Sequence, residues 1–94
     1  MTDRQDLTGK VAVITGASSG IGAATARRLR AEGMRLVVTA RREERLQALA
    51  KDLGETEVVA GDICDPALAP ALVQRALARF GRCDVVMNNA GTLA

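Results

Sequence analysis

Short apolar runs alternate along the chain with longer segments in which apolar residues recur every three or four positions. The runs contain β-branched residues and are typical of strands buried on both faces of a sheet; they lie at 11–15, 36–40, 57–60 and 84–87. The segments between them predict three helices. The first spans about residues 21–31, the second carries Leu46, Leu49 and Leu53 on one face, and the third carries Leu68, Leu72, Ala76 and Phe80.

Glycines mark the predicted helix ends, and these are Gly33, Gly54 and Gly81. The start of the third helix has two interpretations. Asp65 is a good N-cap and Pro66 a good first helical residue. Pro70 would then fall beyond the first turn, where its missing N–H removes a hydrogen bond, so the helix could instead begin near Ala69.

The predicted order β-α-β-α-β-α-β defines the fold class. Connections long enough for crossover helices, together with right-handed crossovers, predict a doubly wound parallel α/β sheet in one small domain, residues 1–94. Ligands of such sheets bind outside the carboxyl ends of the strands. The loops expected to form a site are therefore 16–22, 41–42, 61–65 and 88–91.

A glycine-rich segment, TGASSGIG, follows the first predicted strand and opens the first predicted helix. Gly16 permits the tight turn, Gly20 leaves room for a pyrophosphate beside the backbone, and Gly22 permits close packing of the helix. Free N–H groups and the helix dipole favour an anion there. The segment predicts a phosphate-binding loop formed by Gly16, Ala17, Ser18, Ser19, Gly20, Ile21 and Gly22. The alternative is a glycine-rich turn without a ligand.

The end of the second strand indicates which dinucleotide would bind. NAD sites carry an acidic residue about 20 positions beyond the glycine loop. That position is Ala40 here, and Arg41 and Arg42 follow it. Two guanidiniums without a carboxylate suit a 2′-phosphate, which favours NADP(H) over NAD(H). The alternative is that both arginines simply begin an exposed helix.

Composition excludes several kinds of chemistry. The 94 residues include no His, Tyr or Trp, so no imidazole or phenol can act as an acid, base or metal ligand, and no metal site is expected. A net charge of +2 and a single aromatic residue argue against nucleic-acid binding. Cys64 and Cys83 are expected to be free thiols. Without a membrane-length apolar window, we expect a cytoplasmic protein that does not bind a membrane.

Three segments in register resemble the short-chain dehydrogenase/reductase family and together cover essentially the whole chain. They are TGASSGIG after the first strand, GDICDP (61–66) after the third and NNAG (88–91) after the fourth. The resemblance implies a Rossmann-type fold. It implies that Asp62 binds the adenine amino group, that the Ile63 backbone holds the ring, and that Asn89, Ala90 and Gly91 line the cofactor ribose. One of the two asparagines would bond neighbouring strands.

The family transfers hydride between nicotinamide and a carbonyl or alcohol carbon, using a Tyr, a Lys four residues later and a Ser. This chain has no Tyr, and its lysines are only Lys10 and Lys51, so no catalytic residue is assigned. We therefore expect the cofactor-binding half of the domain, truncated after the fourth strand and inactive alone. Alternatives are a non-catalytic dinucleotide-binding module and a truncated product without function. The family commonly forms homo-oligomers through later segments, and the substrate is not readable from these residues.

One structural consequence follows from the predicted topology. The fourth strand would lie beside the first and would need a fifth on its outer side. Without that strand, Val85, Val86 and Met87 are expected to form an exposed apolar edge.

Overall fold

A computed structural model describes residues 7–17, 20–62 and 64–88 of the chain. Strands and helices alternate along it as the sequence predicts. In chain order they are β1 Val11–Thr15, α1 Gly20–Ala31, β2 Arg35–Thr39, α2 Glu43–Leu53, β3 Thr56–Val58, α3 Leu68–Phe80 and β4 Val85–Asn88.

The strands form one four-stranded parallel sheet in the order β3-β2-β1-β4. Helices cover both faces, as right-handed crossovers require when the strand order reverses at β1. One face carries α1 and α2, whose buried residues Ala26, Leu46 and Leu49 pack against Ile14 and Leu36. The other face carries α3, and its cluster consists of Val11, Val13, Val37, Leu68, Leu72 and Ala76. The predicted doubly wound α/β class is confirmed.

Three strand boundaries differ slightly from the expected ones. The largest difference is at β3, which was expected at 57–60 and ends at Val58. The backbone N–H groups of Val59 and Gly61 still donate to the carbonyls of Val38 and Ala40, at 3.0 and 3.2 Å. The chain therefore continues alongside β2 beyond the regular part of β3, and the longer apolar run reflects that extension.

The start of α3 differs from the expected N-cap and decides between the two starting points that the sequence allowed for the helix. The helix begins at Leu68 with Ala67 as its N-cap, so the assignment of Asp65 as the N-cap was wrong. Asp65 instead closes a preceding turn, in which its Oδ1 accepts from the Ala67 N–H at 2.9 Å and its carbonyl from the Leu68 N–H at 3.0 Å. Pro70 then falls within the first helical turn, where its missing N–H removes no intrahelical bond.

The edge strand β4 exposes two of the three apolar side chains expected there, whereas the third, Met87, is partly buried and packs against the core on the α1 and α2 face. Val86 is 59% exposed and Val85 42% exposed. Within residues 7–17, 20–62 and 64–88, no helix is both long and apolar enough to span a bilayer.

Ion pairs attach α3 to β3 at the opposite edge of the sheet. The Glu57 carboxylate accepts from Arg75 Nη1 at 2.6 Å and from Arg79 Nη1 at 2.8 Å. The hydrogen bond from Arg79 is the main cause that lowers the pKa of Glu57 below its ordinary 4.5, and the bond from Arg75 adds to it against the opposing effect of burial. Glu57 therefore holds one flank of α3 over β3.

A close backbone approach sets the position of α1. Gly16 has a φ of +65°, in the left-handed region that favours glycine. A Cβ on Gly22 would overlap the Gly16 carbonyl oxygen and lie 2.8 Å from its carbonyl carbon. At Gly20, a Cβ would meet no heavy atom of the described residues within 4 Å. Only Gly22 is therefore sterically required for α1 to pack against the turn after β1.

The Glu57→Gln variant tests the attachment of α3. A carboxylate whose pKa is lower in the folded than in the unfolded state stabilises the fold above its unfolded pKa and loses that effect as the pH falls through the folded value. We expect a loss of about 1 kcal/mol or less at pH 7, which diminishes as the pH falls below 4.5. Urea unfolding from neutral to acid pH measures it, with Glu44→Gln as the control. A deficit that does not depend on pH would contradict this explanation.

The pair Gly22→Ala and Gly20→Ala tests the close approach. Gly22→Ala should reduce the free energy of unfolding by roughly 1–3 kcal/mol, because the added methyl group forces α1 away from the Gly16 carbonyl. Gly20→Ala adds the same atom in open space, so its stability should change by less than about 0.5 kcal/mol. Thermal or urea unfolding compares the two, and equal losses would show that steric contact at Gly22 is not the cause.

Candidate functional site

The candidate site lies at the edge of the sheet where the parallel strands end. The loops after β1, β2 and β3 meet there, and β4 ends at the same edge with Asn88. In open parallel sheets this crevice is the usual ligand position. The described residues of the predicted site, from Gly16 to Asp62, therefore share one edge of the fold.

The glycine loop is attached to the neighbouring strand by its backbone. The N–H of Ala17 donates to the carbonyl of Thr39 at 3.1 Å, and Ala17 is buried. Helix α1 then begins at Gly20, and Gly20 and Ile21 are exposed. The first turn of α1, with its free N–H groups, is thus open to an approaching group. Ser18 and Ser19, also predicted for this loop, lie outside the described residues.

The space beside Gly20 is suited to a phosphate group. An anion there would reach the N-terminal N–H groups of α1 and the positive end of its dipole. The open surface at Gly20 contrasts with the tight packing at Gly22 within the same helical turn. The residues present fit the phosphates of a dinucleotide.

Two predicted residues, Arg41 and Asp62, come together although they are 21 positions apart. Arg41 Nη2 lies 3.6 Å from Asp62 Oδ1, and both side chains are largely exposed. The Cys64 N–H donates to Asp62 Oδ1 at 2.9 Å. This backbone hydrogen bond is the main cause that lowers the pKa of Asp62, with the Arg41 charge as a further one. Asp62 is therefore held ionised next to the Arg41 guanidinium.

Arg42 is the N-cap of α2 and has extended backbone angles. Its side chain is exposed and forms no ion pair with the other described residues. Glu43 and Glu44 occupy the first turn of α2, where carboxylates complement the helix dipole. A guanidinium at Arg42 thus remains accessible beside the pair formed by Arg41 and Asp62.

The asparagine that ends β4 fixes this strand to β1. Thr15 Oγ1 donates to Asn88 Oδ1 at 2.8 Å. Asn88 therefore forms the strand-bonding contact that the resemblance assigned to one of the two asparagines. Asn89, Ala90 and Gly91, predicted to line the ribose, and Ile63, predicted to hold the adenine, lie outside the described residues.

Two features at this edge were not anticipated from the sequence. The Thr39 side chain is 1% exposed and its hydroxyl has no hydrogen-bond partner among the described residues. Arg45, in the first turn of α2, lines a groove between α1 and α2 that reaches Ala17 of the glycine loop. The i, i+4 spacing of Arg41 and Arg45 was the available signal for Arg45. No signal in the sequence pointed to Thr39, because threonine is common in strands and its place at a strand end needs no further explanation.

The ionisable side chains around the site define the chemistry that the described residues offer. Its described ionisable side chains are arginines, carboxylates and the thiol of Cys64, and the chain contains neither Tyr nor His. Among the described residues, no three His, Cys, Asp or Glu side chains group together as metal ligands would.

Comparison with known proteins agrees with this geometry. The family model described as short chain dehydrogenase matches residues 10–94. An uncharacterized oxidoreductase of Staphylococcus haemolyticus is 42% identical over 90 residues, which are 94% of this chain and 39% of that protein.

Solved structures give the same result. A metagenomic short-chain oxidoreductase in complex with NADP is 47% identical, with a TM-score of 0.82 over 94% of this chain and 42% of that one. L-Sorbose reductase from Gluconobacter frateurii, complexed with NADPH and L-sorbose, is 40% identical, with a TM-score of 0.81 over 96% of this chain and 37% of that one.

The chain spans about two fifths of the length of these similar proteins. Within that share, the family model, the sequence similarity and the similarity of fold all cover nearly every residue of the chain. The chain therefore belongs to the short-chain dehydrogenase family.

Proposed function

We propose that residues 1–94 form the NADP(H)-binding half-domain of a short-chain dehydrogenase. The complete protein would transfer hydride between the nicotinamide ring and a carbonyl or alcohol carbon. The observation that carries the proposal is the open N-terminus of α1 beside Gly20, at the same edge as the Arg41 guanidinium. The backbone that would bind one phosphate follows β1, and the cation that would bind a second phosphate follows the neighbouring strand β2.

The pyrophosphate would bind to the loop from Gly16 to Gly22. Its negative charge would be met by the backbone N–H groups and dipole of α1, and by the hydroxyls of Ser18 and Ser19. The tight contact of Gly22 with Gly16 supports this assignment because it holds the helix N-terminus next to β1.

The 2′-phosphate would bind to Arg41 and Arg42. Ala40 stands where an NAD site has a carboxylate, and two exposed guanidiniums follow it. The two similar solved structures, which hold NADP and NADPH, are consistent with a preference for the phosphorylated cofactor. Arg45 offers a third guanidinium on the same side of the glycine loop.

The remaining contacts follow from the same orientation of the cofactor. Asp62 and the Ile63 backbone would hold the adenine, close to Arg41. Asn89, Ala90 and Gly91 would line the ribose after β4. The bound nicotinamide supplies or accepts the hydride in the reaction.

This half-domain would bind the cofactor without catalysing the reaction. Reduction of a carbonyl needs a proton donor near its oxygen, and the chain has no Tyr. Lys10 directly precedes β1, at the edge opposite the site, and Lys51 lies on α2. The catalytic groups, the substrate site and the oligomer contacts would then belong to other parts of a complete enzyme. The free thiols Cys64 and Cys83 suit a reducing compartment such as the cytoplasm.

The Arg41→Asp variant of the 94-residue chain tests the cofactor assignment. Loss of a charge-assisted hydrogen bond should weaken NADPH binding roughly tenfold or more, while NADH binding should change far less. Calorimetric titration with each cofactor gives the ratio of affinities. Arg28→Asp is the control, because it makes the same charge change on an exposed part of α1.

Two results would contradict the proposal in different ways. An unchanged NADPH-to-NADH ratio in Arg41→Asp would show that Arg41 does not select the cofactor. If the wild-type chain bound neither dinucleotide, these 94 residues would not form a binding half-domain on their own.

If this half-domain binds the cofactor and other parts of a complete enzyme supply the catalytic groups, this chain alone should not oxidise NADPH. Incubation with NADPH and a broad panel of aldehydes and ketones should leave the nicotinamide absorbance unchanged, because these residues include no Tyr to protonate a carbonyl oxygen. Steady oxidation of NADPH that depends on both the chain and a carbonyl compound would overturn this assignment.

A further inference from the structure

A groove of about 470 Å³ runs between α1 and α2 on the surface of the molecule. Its walls include Ala23 and Arg27 from α1, and Arg45 and Asp52 from α2. The groove also reaches Ala17 of the glycine loop. It therefore connects the surface between the two helices with the loop that would bind the pyrophosphate.

The inner end of this groove lies next to the end of β2. The N–H of Ala17 donates to the carbonyl of Thr39 at 3.1 Å, and Ala40 follows Thr39 directly. Ala40 is the position at which NAD sites carry the carboxylate that binds the ribose 2′-OH. The 2′-position of a bound dinucleotide would therefore lie close to the inner end of the groove.

Two guanidiniums line the groove, and they differ in whether their charge is balanced. Arg27 Nη1 lies 2.8 Å from Asp52 Oδ2, so this charge is paired across the two helices. Arg45 is exposed and forms no ion pair with any other residue that the structure describes. Asp52 follows Arg45 by two helical turns, about 10 Å along the axis of α2, and already binds Arg27. Arg45 is therefore the unbalanced cation of the groove.

The neighbours of Arg45 on α2 leave its charge unbalanced as well. Residues three and four positions apart face each other on a helix, and those positions after Arg45 hold Ala48 and Leu49. Glu43 and Glu44 precede Arg45 by two and one positions, a spacing that does not bring side chains together. An anion in the groove would thus meet a guanidinium that no carboxylate of its own helix faces.

Arg41 and Arg45 lie on opposite sides of the end of β2. The Arg41 guanidinium is 3.6 Å from the carboxylate of Asp62, which follows β3, so its side chain extends towards β3. Arg45 lines the groove that reaches the glycine loop, which follows β1. Because β2 lies between β3 and β1, an anion at the end of β2 would have one guanidinium on each side.

We propose that Arg45 is a specificity-determining residue that binds the 2′-phosphate of the cofactor from the groove, opposite Arg41. The inference rests on the proposed dinucleotide function and adds a residue of α2 to the loop that follows β2. Asp62 already balances part of the charge of Arg41, so a phosphate must replace that carboxylate to bind there. The contact with Arg45 replaces no carboxylate, and it therefore contributes its attraction to the phosphorylated cofactor without that cost.

The variants Arg45→Gln and Arg45→Glu test this role by calorimetric titration with NADPH and with NADH. Arg45→Gln should weaken NADPH binding by roughly fivefold, and Arg45→Glu should weaken it further because the new carboxylate repels the phosphate. Binding of NADH should change far less. A glutamate in the first turn of α2 complements the helix dipole, so the charge reversal does not weaken the helix itself. Adenosine 2′,5′-bisphosphate and adenosine 5′-monophosphate should show the same difference, since they differ only in the 2′-phosphate.

The controls separate the position of the charge from its presence. Lys51→Gln removes one positive charge from an exposed position in the last turn of the same helix, and the ratio of NADPH to NADH affinity should stay as in the wild type. Arg45→Lys keeps the charge but not the planar guanidinium, so it should retain part of the preference for NADPH.

The outcomes distinguish this inference from the proposed function. If Arg45→Glu left the ratio of affinities unchanged while Arg41→Asp lowered it, Arg45 would have no role in selectivity and the proposed function would stand. An equal loss of NADPH and NADH binding in Arg45→Glu would also overturn the inference, because Arg45 would then support the fold or a part common to both cofactors. A wild-type chain that bound neither cofactor would contradict the proposed function and this inference together.

Discussion

The close approach of Gly22 to the carbonyl group of Gly16 is the constraint on which the rest of the structure depends. It holds the first turn of α1 against the turn that ends β1. The same turn is attached to β2 through the bond from Ala17 to Thr39. Because β1 is the strand at which the winding reverses, this one contact aligns the helix N-terminus with the crevice of the whole sheet.

The candidate site is therefore built mainly from backbone, with a few charged side chains at its rim. The backbone N–H groups at the start of α1 are held in position by packing. They do not ionise, so their interaction with an anion does not depend on pH. Arg41 follows β2 and Asp62 follows β3, and their side chains form an ion pair at the rim of the site. A site of this kind is suited to recognising the charge and the shape of a ligand.

Much of the fold could be predicted because its determinants are local in sequence. Buried strands show as apolar runs, and Gly16 and Gly22 are explained by a left-handed backbone conformation and a close backbone contact. The start of α3 was misjudged at Asp65 because an aspartate that closes a turn and one that caps a helix look alike in sequence. The buried hydroxyl of Thr39 and the approach of Arg41 to Asp62 were beyond prediction, since each depends on how separate loops pack.

The ion pair between Arg41 and Asp62 also limits how selective this edge of the molecule can be. A phosphate that approaches Arg41 does not meet a bare cation, because a carboxylate already balances part of its charge. Phosphate binding there would exchange one anion for another, so the gain in free energy would be the difference between the two interactions and not the full attraction of one. The backbone N–H of Cys64, which already bonds the Asp62 carboxylate at 2.9 Å, would still stabilise that carboxylate after such an exchange. Discrimination between cofactors would thus be set as much by the acidic residue as by the arginine.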